Sequence, residues 1–167
     1  SLGLVGSEMC IRDRLLVQQL LAFYTIEIIE PNWHELERKL HEAQSVDEFM
    51  KHHFDFLNTC RKECMLTDYR YLECHRKLMN TITAFTESKL RFAEQCEAMQ
   101  QAVDAWYERG DETAPPPALV DEGDILTKIE ASWNKHSRTF RDVVNLLSTT
   151  DNPAALPLAY RLQTTLR

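Results

Sequence analysis

From Leu15 onward, apolar residues recur at intervals of three and four, the spacing of one face of an α-helix. Val17, Leu20, Leu21, Tyr24 and Ile28 share one such face and Leu16, Phe23 and Ile26 another, so Leu15 to Glu30 reads as a central helix apolar on two sides. Pro31 lacks the amide hydrogen a helix needs, and the pattern predicts that it kinks or ends this helix. Trp33, Leu36, Leu40 and Ala43 carry a second amphipathic stretch, in whose phase Trp33 is expected to be core. Ser45 with Glu48 three residues later has the form of a capping box. The helix it opens is expected to turn Val46, Phe49, Met50, His53, Leu57, Cys60 and Cys64 inward.

Asp68 is placed to cap the next helix. There Tyr71, His75, Leu78, Ile82, Phe85, Lys89, Phe92, Cys96, Met99, Val103 and Trp106 alternate spacings of four and three without a slip, as a heptad seam does. Unbroken, that stretch is about 54 Å long, so the pattern allows a projecting arm or a turn near Ser88. Gly110 to Gly123 holds a triple proline among acidic residues and reads as a disordered surface loop. Beyond it, Asp124 can cap a helix bearing Ile125, Ile129, Trp133, His136, Phe140, Val143 and Leu147. Ser148 to Asn152 is a polar break. A short last helix starts near Pro153 or Pro157, both suited to a first turn, and carries Leu158 and Leu162. No segment alternates as a strand would. The expected fold is all-α: a bundle of five or six helices with one long heptad-patterned helix and one Pro-rich acidic loop.

Composition supports this and narrows the function. Of 167 residues, 44% are hydrophobic, enough for one core without disulfide or metal, and only four glycines and six prolines interrupt it. A formal charge of −7, from 26 acidic and 19 basic side chains spread along the chain, offers no stripe for a phosphate backbone and argues against nucleic acid. The apolar stretch near Leu15 is too short and too polar to span a bilayer, and it lacks a small-residue cleavage site. Cys10, Cys60, Cys64, Cys74 and Cys96 form no regular framework and read as reduced thiols.

Two constellations invite chemistry. His52, His53, Cys60 and Cys64 could be read as a metal set, but they continue the apolar face of Phe49 and Leu57, where packing accounts for them. Cys74 beside His75 has the residue types of a thiol nucleophile and its base, yet neighbours on a helix point about 100° apart. No phosphate-cradling loop, zinc-protease helix or nucleophile elbow occurs. No cofactor and no enzymatic activity are expected.

Residues 1–14 form a segment of their own. Two of the four glycines lie there, and no period joins the segment to the helix after it. Leu4 to Arg14, Leu-Val-Gly-Ser-Glu-Met-Cys-Ile-Arg-Asp-Arg, resembles the conceptual translation of a transposase adapter used in preparing sequencing libraries. The native domain is therefore expected to run over 15–167, and Cys10 and the leader arginines are given no role.

Ile29-Glu30-Pro31-Asn32-Trp33, then Leu36, Val46-Asp47 and His53, then the run Phe56 to Asp68 resemble the C-terminal domain of gamma-tubulin complex components. Within that family Cys60 to Asp68 is most similar to component two, the Spc97-type subunit. Trp133 to Leu147 suits a later family helix, and Tyr160-Arg161-Leu162 looks like the start of the family's closing motif. Gln163, Thr164 and Thr165 depart from that motif.

The resemblance implies a non-catalytic scaffold of the cytoplasm and cytoskeleton, at spindle poles and other microtubule-organising centres. Its C-terminal helical domain would hold γ-tubulin and support microtubule nucleation, while a separate N-terminal domain would pack against other complex components. Arg161 and Leu162, matching the closing motif, are the candidate partner-binding residues. The alternative is a generic helical module that dimerises through the 71–106 seam.

Overall fold

The computed structural model describes residues 2–109 and 123–166, with side chains from residue 8 onward. Every described element is helical. α1 (Leu2–Ala22) passes into a π-helical turn (Phe23–Ile29) and then α2 (Glu30–Glu42) with right-handed helical backbone at both joins. The three together form one rod of about 60 Å. Pro31 therefore neither ends the helix nor opens a loop; it sits in the first turn of α2, where a missing N–H is tolerated. The wider turn before it takes up the change, the Glu30 N–H reaching five residues back to the Thr25 carbonyl.

That extra residue shifts the helical phase, and the expectation of a helix buried on two sides is corrected. Met9, Asp13, Leu16, Leu20, Phe23 and Ile28 line the buried face, while Val17, Leu21 and Ile26 are exposed. The helix also runs through residues 2–14 without a break, so the leader does join its period after all.

α3 (Val46–Glu63) folds back on α2. The capping box forms as the sequence predicts: Glu48 N–H donates to Ser45 Oγ at 3.2 Å, and Glu48 Oε2 accepts from Gln44 N–H at 2.8 Å. Its inward face is the expected one only at its end, where Cys60 is half-buried and Cys64 buried. His52, Phe56, Thr59, Cys60 and Glu63 are half-buried, whereas Val46, Phe49, Met50, His53 and Leu57 are exposed. Trp33, half exposed, meets Phe56 edge-on with ring centroids 6.0 Å apart instead of entering the core. α3 carries apolar residues on two sides, and periodicity alone does not say which side is covered.

α4 (Tyr69–Arg109) is one continuous helix, with no turn near Ser88. It packs antiparallel to α5 (Gly123–Thr150), as Tyr71 against Phe140 and Thr81 against His136 show. The first turn of α5 lies near Arg91 and Gln95, so Cys96 to Arg109 outruns it by about 21 Å. In the seam, Tyr71, Leu78 and Phe85 are buried and the residues from Lys89 to Trp106 half-buried. Its first half is occupied within the chain by α5, which removes the ground for dimerisation there. The expected loop, 110–123, lies outside the described residues except for Gly123, which opens α5.

On α5 the buried set is Leu126, Trp133, Ser137, Phe140, Val144, Leu147 and Ser148. Ile125 is exposed, and Val143 is half-buried. The face is wider than the sequence suggests because α5 meets α4, α6 and α1 at once. After Asp151 and Asn152 a 3-10 turn (Pro153–Ala155) leads into α6 (Leu156–Thr165), with Pro153 and Pro157 each in a first turn. One core joins Leu16, Phe23, Tyr71, Leu78, Trp133, Phe140, Leu147, Leu158 and Leu162.

Candidate partner-binding surface

The residues from Glu30 to Asp68 turn out to be the joint of the bundle. Asn32 Nδ2 donates to the Ile28 carbonyl at 2.8 Å and to Glu63 Oε2 at 2.7 Å, tying α2 to the end of α3. α3 then stops in a Schellman arrangement: Met65 N–H donates to Lys62 O and Leu66 N–H to Arg61 O. The left-handed residue this needs is Met65, φ 62°, in place of the usual glycine. Its side chain is 2% exposed, and that burial offsets the backbone cost.

Asp68 caps α4 by accepting from Tyr71 N–H at 3.0 Å and pairs with Arg70. That hydrogen bond to Arg70 holds the Asp68 carboxyl below its ordinary range. Tyr71, buried, hydrogen-bonds through its hydroxyl to Tyr24 of the π-helical turn. Burial pushes the Tyr24 hydroxyl up to about 12 and raises that of Tyr71 further, so both stay neutral.

The far corner closes on the same joint. Asn152 Nδ2 donates to the Glu63 carbonyl at 2.7 Å and to Lys62 O at 3.4 Å, fastening the α5–α6 turn to the last carbonyls of α3. Asn152 is buried, so its loss removes the side-chain donor to the Glu63 carbonyl, while Lys62 O keeps the Met65 N–H. Asn152→Ala is expected to lower unfolding free energy by about 1–3 kcal/mol in a urea titration.

The residues with chemical potential are set for packing. Burial raises the thiols of Cys64 and Cys74 to about 11 and that of Cys60 above its usual value, which keeps them protonated and poor nucleophiles. Burial lowers His75, whose ring lies against Tyr71 and Phe140. His53 is exposed and two turns from Cys60, and among the described residues no group of three His, Cys, Asp or Glu is placed to hold a metal.

In the α4–α5 groove Thr81 donates its hydroxyl proton to the Lys77 carbonyl at 3.0 Å. The same hydroxyl lies 2.9 Å from His136 Nδ1, a hydrogen bond that ties α4 to α5.

Leu162 is completely buried between α6 and the core, so it shapes the surface from beneath. Arg161 is half-buried and pairs with Glu27 of the π-helical turn, Nη2 to Oε1 2.6 Å. It pins α6 against the rod. Sequence reasoning missed Glu27, Asn32 and Asn152, whose partners lie 134, 31 and 89 residues away.

These features define an all-helical scaffold: a bundle with hydrogen-bonded corners and broad exposed faces. A sequence model described as the gamma tubulin complex component C-terminal matches residues 8–165, and the chain belongs to that family. It is 32% identical to the spindle pole body component alp4 of Schizosaccharomyces pombe over 91% of its own length and 19% of that protein. It is 32% identical to gamma-tubulin complex component 2 of Mus musculus over 64% of the chain and 12% of that protein. To gamma-tubulin complex component 3 of Homo sapiens it is 27% identical over 70% of the chain and 12% of that protein. The chain thus spans about a fifth or less of these relatives. The family match takes in the second half of the leader. No helix among the described residues is long and apolar enough to cross a membrane.

Proposed function

We propose that this chain is the γ-tubulin-holding part of a non-catalytic gamma-tubulin complex subunit, of the kind represented by component two. The observation that carries the reading is the family match over almost the whole chain, through a joint built from the residues that carry the resemblance. Its mechanism is positioning. A platform that holds γ-tubulin rigidly, in register with copies held by neighbouring subunits, removes part of the orientational entropy cost of starting a microtubule, without bond chemistry. The setting is the cytoplasm and cytoskeleton, at spindle poles and other microtubule-organising centres, and the remaining partners are other complex components met through further domains.

Arg161 contributes by fixing α6 to the rod through Glu27, and Leu162 by holding the helix at its depth. Within the leader, Asp13 is the misfit: its buried carboxylate oxygens accept no hydrogen bond, whereas Met9 packs into the core. The test is retention of γ-tubulin on the immobilised chain and on a helical bundle of similar charge. We expect the chain to retain more; equal retention by the control would overturn the reading.

A further inference from the structure

We propose that the groove between α4 and α5 binds an extended acidic peptide segment of a partner protein. Two carboxylates of that segment meet lysines at the two ends of the groove, and an aliphatic side chain between them lies on its floor. The groove holds about 320 Å³. Ala84 and the half-buried Ile129 make it largely apolar, and Lys77, Asn80, Lys128 and Ser132 surround them.

The two lysines are spread along the groove. Thr81 meets His136, with Lys77 one turn before Thr81 on α4 and Lys128 two turns before His136 on α5. Because the helices are antiparallel, the lysines fall on opposite sides of that contact, about 18 Å apart along the axis at the backbone. Both side chains line the same groove, so their ammonium groups reach toward each other. An extended peptide spans about 13 Å over four residues, and the flexible stems of lysine and glutamate cover the remainder.

Charge selects the occupant. Among the described residues no aspartate or glutamate lines this groove. The neighbouring groove along α4 holds Glu87 with Arg91, and the corner between α3 and α5 holds Asp68 and Asp151 with Lys62, so both neutralise themselves. Lys128 makes no ion pair among the described residues. Lys77 shares Glu73 with Arg76 and keeps ammonium donors to spare. Asn80 and Ser132 have side-chain groups with no partner among the described residues. Burial, and then the charges of Lys135 and Lys77, lower the pKa of His136, so the positive field reaches the inner wall of the groove. On a chain of formal charge −7 an acidic segment is repelled elsewhere and held here. The apolar floor and the distance between the lysines favour a peptide over a free anion.

The test is a nitrogen-15 amide chemical-shift titration of the full chain with the peptide acetyl-Glu-Ala-Leu-Ala-Glu-amide, at about 20 mM salt so that screening is weak. We expect saturable shifts centred on residues 77–84 and 128–136. A peptide with glutamine in place of both glutamates, and one with the two glutamates adjacent, should each bind about fivefold more weakly or worse. Lys77→Gln and Lys128→Gln should each weaken binding about fivefold. Lys51→Gln, the same change of charge on α3, should weaken it by less than about twofold. All three lysines are exposed, so unchanged thermal melts certify the fold. The absence of saturable shifts in the groove, equal binding by the glutamine peptide, or a loss for Lys51→Gln as large as for Lys128→Gln each overturns the proposal. So does inorganic phosphate giving the same shifts at the same concentration, which would assign the groove to small anions.

Discussion

Phe140→Ala is expected to lower the unfolding free energy by about 3–5 kcal/mol, a large share of the stability of a domain this size. Phe140 is fully buried in the seam between α4 and α5. Its ring lies 5.5 Å from that of Tyr71 and 6.1 Å from that of His75. Truncation removes the transfer free energy of the ring, leaves a cavity that helices pinned at both ends cannot close, and loses an aromatic pair worth about 0.5–1.5 kcal/mol by itself. The loss also spreads, because Tyr71 is held on its far side by the hydroxyl of Tyr24 and so cannot relax into the gap. Urea titration should show the midpoint falling with the slope unchanged. Phe54→Ala, at an exposed site of the same residue type, should stay within about 0.5 kcal/mol of the parent.

The second large effect is a pH dependence with an unusual sign. Asp13 is buried on α1, and burial raises its carboxyl from 3.8 to about 6, only partly opposed by Arg12. A carboxyl that holds its proton more tightly folded than unfolded favours the fold when protonated. Its penalty is absent below about pH 4, grows as pH rises toward 6, and is complete above that. The full penalty is on the order of 3 kcal/mol. Asp13→Asn keeps the shape and removes the charge, so it should be more stable than the parent at pH 7, with the advantage vanishing by about pH 4. Taking the difference between the two proteins at each pH cancels carboxyls that pull the other way, such as Asp68. A difference that stays flat from pH 4 to 7 would show Asp13 to be solvated.

Much of the fold is written locally. The capping box at Ser45, the cap at Asp68, the unbroken seam from Tyr71 and the prolines at the head of α6 all act within one turn of themselves, so sequence spacing reads them correctly. The errors share a different origin. Pro31 was expected to interrupt a helix, but a helix has a second way to accommodate proline, adding one residue to the turn before it. That single insertion rotates everything upstream and decides which of Val17 and Leu16 faces the core.

On α3 the choice between two apolar faces is made by α2 and by Asn32 reaching Glu63, contacts that periodicity does not encode. The candidate site was legible in the same uneven way. The block from Glu30 to Asp68 identified the family, yet its residues build the joint and leave the partner surface to their neighbours. Asn152, buried in a polar stretch that reads as a loop, gave no signal at all.

The long fourth helix has a mechanical meaning. Its root, from Tyr71 to Phe85, is gripped by the core, while the stretch past Gln95 has left α5 behind. Beyond Gln95 the same seam stays half-buried at Cys96, Met99, Val103 and Trp106, so the hold on this helix slackens gradually along its length, and a spacer graded in this way joins a fixed root to a looser end without a hinge.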